Sequence, residues 1–168
     1  MLDKQINFIP KKVVWCRKCT MSNQRPRIIF DDNQICSACN NYDYKKSIDW
    51  EEREKELKDL LDKNRSKDGY WDVIVPSSGG KDSGYVAHTL KYKYNMNPLL
   101  ITWSPLRYTN IGMKNFDSLN DSGFNAIRCS QNGILHSKLA RLCLEELGDA
   151  FHVFVLGQCY FPIHMALK

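Results

Sequence analysis

The hexapeptide Ser78-Gly79-Gly80-Lys81-Asp82-Ser83 follows the apolar run Trp71–Val75. A strand, a glycine turn and a hydroxyl-rich helix start together make a phosphate cradle. Adjacent glycines let the backbone approach an anion closely, because no Cβ stands in the way. The N–H groups at a helix N-terminus are unpaired and carry partial positive charge, which suits a phosphate. Ser78 and Ser83 add hydroxyl donors, and Lys81 adds a charge. Asp82 is the odd member. A carboxylate beside phosphates makes sense as a ligand for Mg²⁺, a hard cation that takes oxygen. The bland alternative is a serine- and glycine-rich turn, and the strand–turn–helix context weighs against it.

A second constellation lies nearer the N-terminus. Cys16-Arg17-Lys18-Cys19 and Cys36-Ser37-Ala38-Cys39 are two C-x-x-C knuckles separated by 16 residues. Each turns two thiolates toward one point, and the pair completes a tetrahedron, the arrangement of a structural Zn²⁺ site. Four thiolates also hold iron–sulfur centres, and reduced, unmetallated thiols are the plain alternative. Cys129, Cys143 and Cys159 have no metal-like spacing and read as buried small hydrophobes. Arg25 and Arg27 flank Pro26 between the knuckles, as substrate contacts or as ordinary surface arginines.

These groups need elements to position them. Ile28–Phe30 reads as a short strand, with Asp32-Asn33 as a hairpin turn. Asp49-Trp50-Glu51-Glu52 reads as a capped helix start, and apolar spacing carries that helix to about Arg65. Lys67-Asp68-Gly69 breaks it. The chain then alternates: a strand at Trp71–Val75, a helix over 83–94, a strand at Leu99–Trp103 and a helix over Ile111–Asn120. A strand at Asn125–Cys129 and a helix over Ile134–Leu147, closed by Gly148, come next. Phe151–Leu156 is either a strand or the start of a buried helix. Such alternation predicts an α/β fold, a parallel sheet with helices on both faces. Ligands of such sheets sit beyond the strand C-termini, where 76–83, 103–108 and 129–133 fall. The expected domains are a four-cysteine module over 1–45, a linker helix over 46–69 and an ATP-type domain over 70–168.

Composition sets the outer bounds. Charged residues are 26% and hydrophobic ones 43%, which is ordinary for a globular chain, so the 168 residues build one core and a small satellite. No apolar run approaches a membrane span, and the first residues lack a signal-peptide core, so a cytoplasmic protein is expected. There, seven cysteines point to metal or catalysis rather than to disulfides. The net charge of +5 is spread along the chain with no dense basic block, which argues against nucleic acid as a partner. His88, His136, His152 and His164 have no matching catalytic partners.

The order Ser-Gly-Gly-Lys-Asp-Ser is not a Walker loop. It resembles the PP-loop of ATP pyrophosphatases, which split ATP into AMP and pyrophosphate. Joined to Cys16-x-x-Cys19-x-Met21-Ser22, Arg25-Pro26, Phe30-Asp31, Cys36-Ser37-Ala38-Cys39, Thr102-Trp103-Ser104-Pro105, Leu147-Gly148-Asp149 and Gly157-Gln158, it is more specific. With these motifs the chain resembles the N-acetyl sugar amidotransferases of bacterial surface-polysaccharide (lipopolysaccharide) and nonulosonic-acid biosynthesis. The resemblance implies that ATP adenylates an acetamido oxygen of a sugar and that ammonia then displaces AMP, leaving an acetamidino group. It implies that Ser78, Gly79, Gly80, Lys81, Asp82 and Ser83 bind ATP and Mg²⁺, with Lys81, Asp82 and Ser83 nearest the chemistry and Trp103 bordering the base. It implies Zn²⁺ on Cys16, Cys19, Cys36 and Cys39. A separate glutaminase subunit is the implied source of ammonia, because this chain shows no glutaminase constellation. Members of the family are considerably longer than 168 residues. The resemblance therefore implies an ATP domain incomplete at its C-terminus. A tRNA-thiolating PP-loop enzyme and a non-catalytic ATP- and zinc-binding module are the competing readings.

Overall fold

The computed structural model describes residues 10–167. The chain divides into two compact units, Met1–Glu54 and Lys55–Lys168.

The first unit is built on turns. Two isolated antiparallel bridges, Trp15↔Ser22 and Phe30↔Cys36, close its two knuckles. The Cys16 N–H donates to the Met21 carbonyl at 2.8 Å, and the Arg17 N–H to the Gln34 carbonyl at 3.1 Å. The expected strand at Ile28–Phe30 shrinks to the one bridge at Phe30. The expected turn at Asp32-Asn33 does form. The Asp31 carboxylate organises it, accepting from the N–H groups of Asn33 (3.0 Å) and Ile35 (2.9 Å) and from the Asn40 amide (2.8 Å). Helix α1 (Ser37–Lys46) starts directly on the second knuckle, with Lys45 and Lys46 in its last turn, where the helix dipole favours cations. Helix α2 (Trp50–Lys63) starts where its sequence signals it. Asp49 Oδ1 accepts from the Glu51 and Glu52 N–H groups at 3.0 and 3.1 Å.

In the second unit, β1 (Val73–Pro76), β2 (Pro98–Trp103) and β3 (Asn125–Cys129) form a parallel sheet in the order β1-β2-β3. Between them run α3 (Lys81–His88), extended by a π-helical turn at Thr89–Lys93, and α4 (Asn110–Asp121). Helices α5 (Gly133–Leu147) and α6 (His152–Ala166) follow β3. β1 begins two residues later than expected and ends one later, while β3 matches its expected bounds. The run at Phe151–Leu156 belongs to a helix, not a strand.

Register explains the core. Val75 pairs with Leu100 and Leu100 with Ala126, so the three share one face of the sheet. Ala87, Leu90, Leu119 and Phe124 pack on that face. Helix α6 covers the other face of β1 and β2. Trp103 meets Phe161 there, ring centroids 5.5 Å apart, and its indole lies on Gly157. A Cβ at Gly157 would fall 2.1 Å from Trp103 Nε1, so only glycine admits this contact. The expected layering, helices on both faces of a parallel sheet, is what the structure shows. Among the described residues, no helix is long and apolar enough to cross a membrane.

Candidate functional site

The loop after β1 begins with two tethers to β2. The Ser77 N–H donates to the Ile101 carbonyl at 2.9 Å, and Thr102 Oγ1 donates to the Ser77 carbonyl at 2.6 Å. Ser77 and Thr102 are both buried, so the loop leaves the sheet from a fixed point. Gly79 then turns with φ 78°, a left-handed conformation that suits glycine. A Cβ at Gly79 would stand 3.0 Å from the Phe116 amide nitrogen of α4. Glycine is therefore needed here twice over, for its φ and for the close approach of two backbones.

Gly80 caps α3 without a side chain. The Gly84 N–H donates to the Gly80 carbonyl at 3.0 Å. The N–H groups of Lys81, Asp82 and Ser83, the first turn of α3, have no acceptor among the described residues. Ser83 Oγ donates to the Gly80 carbonyl at 3.1 Å and lies 3.2 Å from Ser77 Oγ. The Asp82 carboxylate makes no hydrogen bond or ion pair among the described residues.

A cavity of about 480 Å³ opens over this turn, its wall including Ser77, Ser78, Gly80, Asp82, Ser83 and Trp103. Gln158 and Pro162 of α6 also line it. Proline has no N–H, so the Gln158 carbonyl lacks its helical donor. The wall thus offers free donors, hydroxyls and one carboxylate beside an apolar surface. That set suits a phosphorylated ligand with an aromatic or ring portion, and the unpartnered Asp82 suits a hard cation beside it.

The structure brings Ser78, Gly80, Asp82, Ser83 and Trp103 together at this cavity as the sequence motif implies. Gly79 and Lys81 are not on its wall. Gly79 packs on α4, and Lys81 is exposed. Ser77, Gln158 and Pro162 were not anticipated as site residues. For Ser77 a signal was available, since it is the hydroxyl residue directly before the motif.

In the first unit, Cys16, Cys19, Cys36 and Cys39 bring their Sγ atoms within 4.8 Å of one another. Cys19 and Cys36 Sγ are 3.6 Å apart and all four are free thiols. A tetrahedron of Zn–S bonds of about 2.3 Å spaces its sulfurs at about 3.8 Å, so the cluster can hold one metal ion of that kind. Cys16 and Cys36 are buried. Cys16 Sγ accepts from the N–H groups of Lys18 and Cys36, each at 3.3 Å, and Cys19 Sγ from the Met21 N–H at 3.5 Å. Burial pushes the Cys16 thiol up, but the N–H donors of Cys36, Lys18 and Cys19 outweigh it and bring it down to about 6. Cys39 is pushed up to about 12, first by its hydrogen bond with Cys19 and then by burial and the other two thiols. Four thiolates cannot coexist here without a cation, and a divalent metal removes that conflict.

No family model matches this chain. It is 30% identical over 87 residues to the uncharacterized protein MJ1599 of Methanocaldococcus jannaschii, a match over 51% of this chain and 31% of that protein. The chain thus spans about a third of the length of this curated relative.

Proposed function

We propose that this chain carries the ATP site of an AMP-forming amidotransferase that converts an N-acetyl group of a sugar to an acetamidino group. The observation that supports this reading most is the first turn of α3. Asp82 and Ser83, whose N–H groups are free, stand at a cavity whose wall also holds Ser78, and the Asp82 carboxylate there is unpartnered. In this reading the loop is a PP-loop and grips the ATP phosphates. Asp82 provides an oxygen ligand for Mg²⁺, and exposed Lys81 adds positive charge. Trp103 borders the base. An amide oxygen is a poor leaving group. Attack of the acetamido oxygen on the α-phosphorus releases pyrophosphate and makes it a good one. Ammonia, delivered by a separate glutaminase, then adds at the same carbon. AMP departs with the former acetamido oxygen. Charge that develops on pyrophosphate and AMP is what the loop donors stabilise.

The four-cysteine unit takes Zn²⁺ as a zinc-ribbon-like structural module. All four positions are filled by protein sulfur, so no site is left for substrate. Seven free thiols fit the reducing cytoplasm.

The test is AMP release from ATP with ammonium present, comparing N-acetylated sugars, free and nucleotide-linked, with bulk tRNA. AMP that forms only with a sugar is the expected result. AMP that forms only with tRNA replaces this reading with thiolation, and no AMP with either replaces it with a non-catalytic binding module.

A further inference from the structure

A second polar cavity, of about 220 Å³, lies at the C-terminal ends of β2 and β3. Its wall includes Ser104, Arg107, Tyr108, Arg128, Gln131 and Gly133. Neither arginine has a carboxylate partner among the described residues. The Arg128 guanidinium is nevertheless held in place. It lies over the Tyr108 ring at 5.6 Å and the Phe116 ring at 5.3 Å, and donates to Met113 Sδ at 3.2 Å. Other wall residues are tied as well: Gln131 Nε2 donates to the Ser104 carbonyl, and Tyr108 pairs with Ser104 Oγ at 3.3 Å. Two guanidinium groups without counter-charge, one of them clamped on aromatic faces, suit an oxyanion.

This cavity is not isolated. A third one, of about 430 Å³, shares Ser78, Trp103 and Gln158 with the cavity over the glycine loop and Pro105, Arg107 and Tyr108 with the arginine cavity. The three make one trench along the C-terminal edge of the sheet. Neighbouring strands lie about 4.8 Å apart, so the loop after β1 and the loop after β3 are separated by about 10 Å.

We propose that Arg107 and Arg128 form an oxyanion subsite for the phosphate or carboxylate of the acceptor, at the far end of a trench that begins at the glycine loop. The acceptor is then an anionic sugar rather than a neutral one. Its identity as an acceptor rests on the ATP reading above, whereas oxyanion binding at the subsite does not.

The experiment titrates inorganic phosphate into the full chain saturated with a non-hydrolysable ATP analogue, and reads backbone amide shifts. Saturable shifts at Ser130, Gln131 and Gly133 are expected. Binding should weaken at least tenfold in Arg107→Gln and in Arg128→Gln, with affinity for the analogue changed less than twofold. Arg107 makes no hydrogen bond, ion pair or ring contact among the described residues. Arg107→Gln therefore decides the matter even if Arg128→Gln fails to fold. Equal binding in wild type and Arg107→Gln, or shifts confined to Gly80–Ser83, overturns the proposal. If the analogue does not bind but phosphate still shifts Ser130–Gly133 in an Arg107-dependent way, the ATP reading fails and the subsite stands. Glucose 1-phosphate and glucuronate then separate phosphate from carboxylate. Glucose binding as well as either would also overturn the proposal.

Discussion

The two units are held together by different physics. Among the described residues of the first unit, the buried side chains are Cys16 and Cys36, and no Leu, Ile, Val or Phe joins them. Its interior is a sulfur cluster. In the second unit Val75, Ala87, Leu100 and Phe124 form a conventional apolar core between sheet and helices. Burial of apolar area stabilises the sheet unit without any ligand. The cysteine unit has too little apolar area for that, and its four clustered thiols could hold a metal ion in place of such a core. A module whose interior is a thiol cluster and a sheet with an apolar core should respond to opposite perturbations.

The largest effect should come from Cys36→Ser. Structural zinc contributes on the order of 10 kcal/mol to modules of this kind. Bound metal, measured by elemental analysis, should fall from one ion per chain to near zero, and amides of residues 14–40 should lose their dispersion. Amides of Leu100 and Ile101 should stay protected. If the sheet melted with the cysteines, the two units would not be independent. Leu100→Ala is the mirror experiment. Leu100 is fully buried, and removing its side chain should cost about 2–5 kcal/mol of the sheet unit's stability. The metal should remain bound.

Gly79→Ala should cost roughly 1–2 kcal/mol from its left-handed φ. The added Cβ would also press on the Phe116 amide of α4. The loop must shift, so affinity for ATP should drop more than the thermal stability does, which calorimetry and melting together would show. The smallest effect concerns Asp31. Its carboxyl is held below the usual carboxylate range, first by the Asn40 amide and then by the Ile35 N–H. A lowered folded pKa gives stability that is complete above the unfolded value, about 3.9. That stability is lost as pH falls through the lower folded value. The difference in cysteine-unit stability between wild type and Asp31→Asn should therefore be constant near neutrality and shrink in that acid window.

Much of this was legible in the sequence, for identifiable reasons. The strand expected at Asn125–Cys129 is β3 with the same bounds. Asp49 and Gly148 cap the helices they adjoin, as their sequence signals indicate. Helix α1 carries no sequence signal because Ser37–Lys46 is largely polar and has no apolar stripe to betray it. The run at Phe151–Leu156 stayed ambiguous because a continuous apolar stretch carries neither period, and a helix buried against a sheet looks the same as a buried strand. At the loop, the motif pointed to five cavity residues: Ser78, Gly80, Asp82, Ser83 and Trp103. It does not point to Pro162, which reaches the cavity from a helix that packs there only in three dimensions, and Gln158, although quoted in the resemblance, carries no signal that assigns it to this cavity. Nor does a motif distinguish a glycine that faces a ligand from one, like Gly79, that lets two backbones touch.

In the proposed function, the first turn of α3 grips the phosphates of ATP. The direct measurement is a titration of a non-hydrolysable ATP analogue with Mg²⁺, followed by amide shifts and repeated on Asp82→Asn. The account predicts saturable shifts at Gly80, Lys81, Asp82 and Ser83, with Mg²⁺ strengthening binding at least tenfold in wild type and little in Asp82→Asn. Absence of binding, or shifts that leave Gly80–Ser83 untouched, would contradict it.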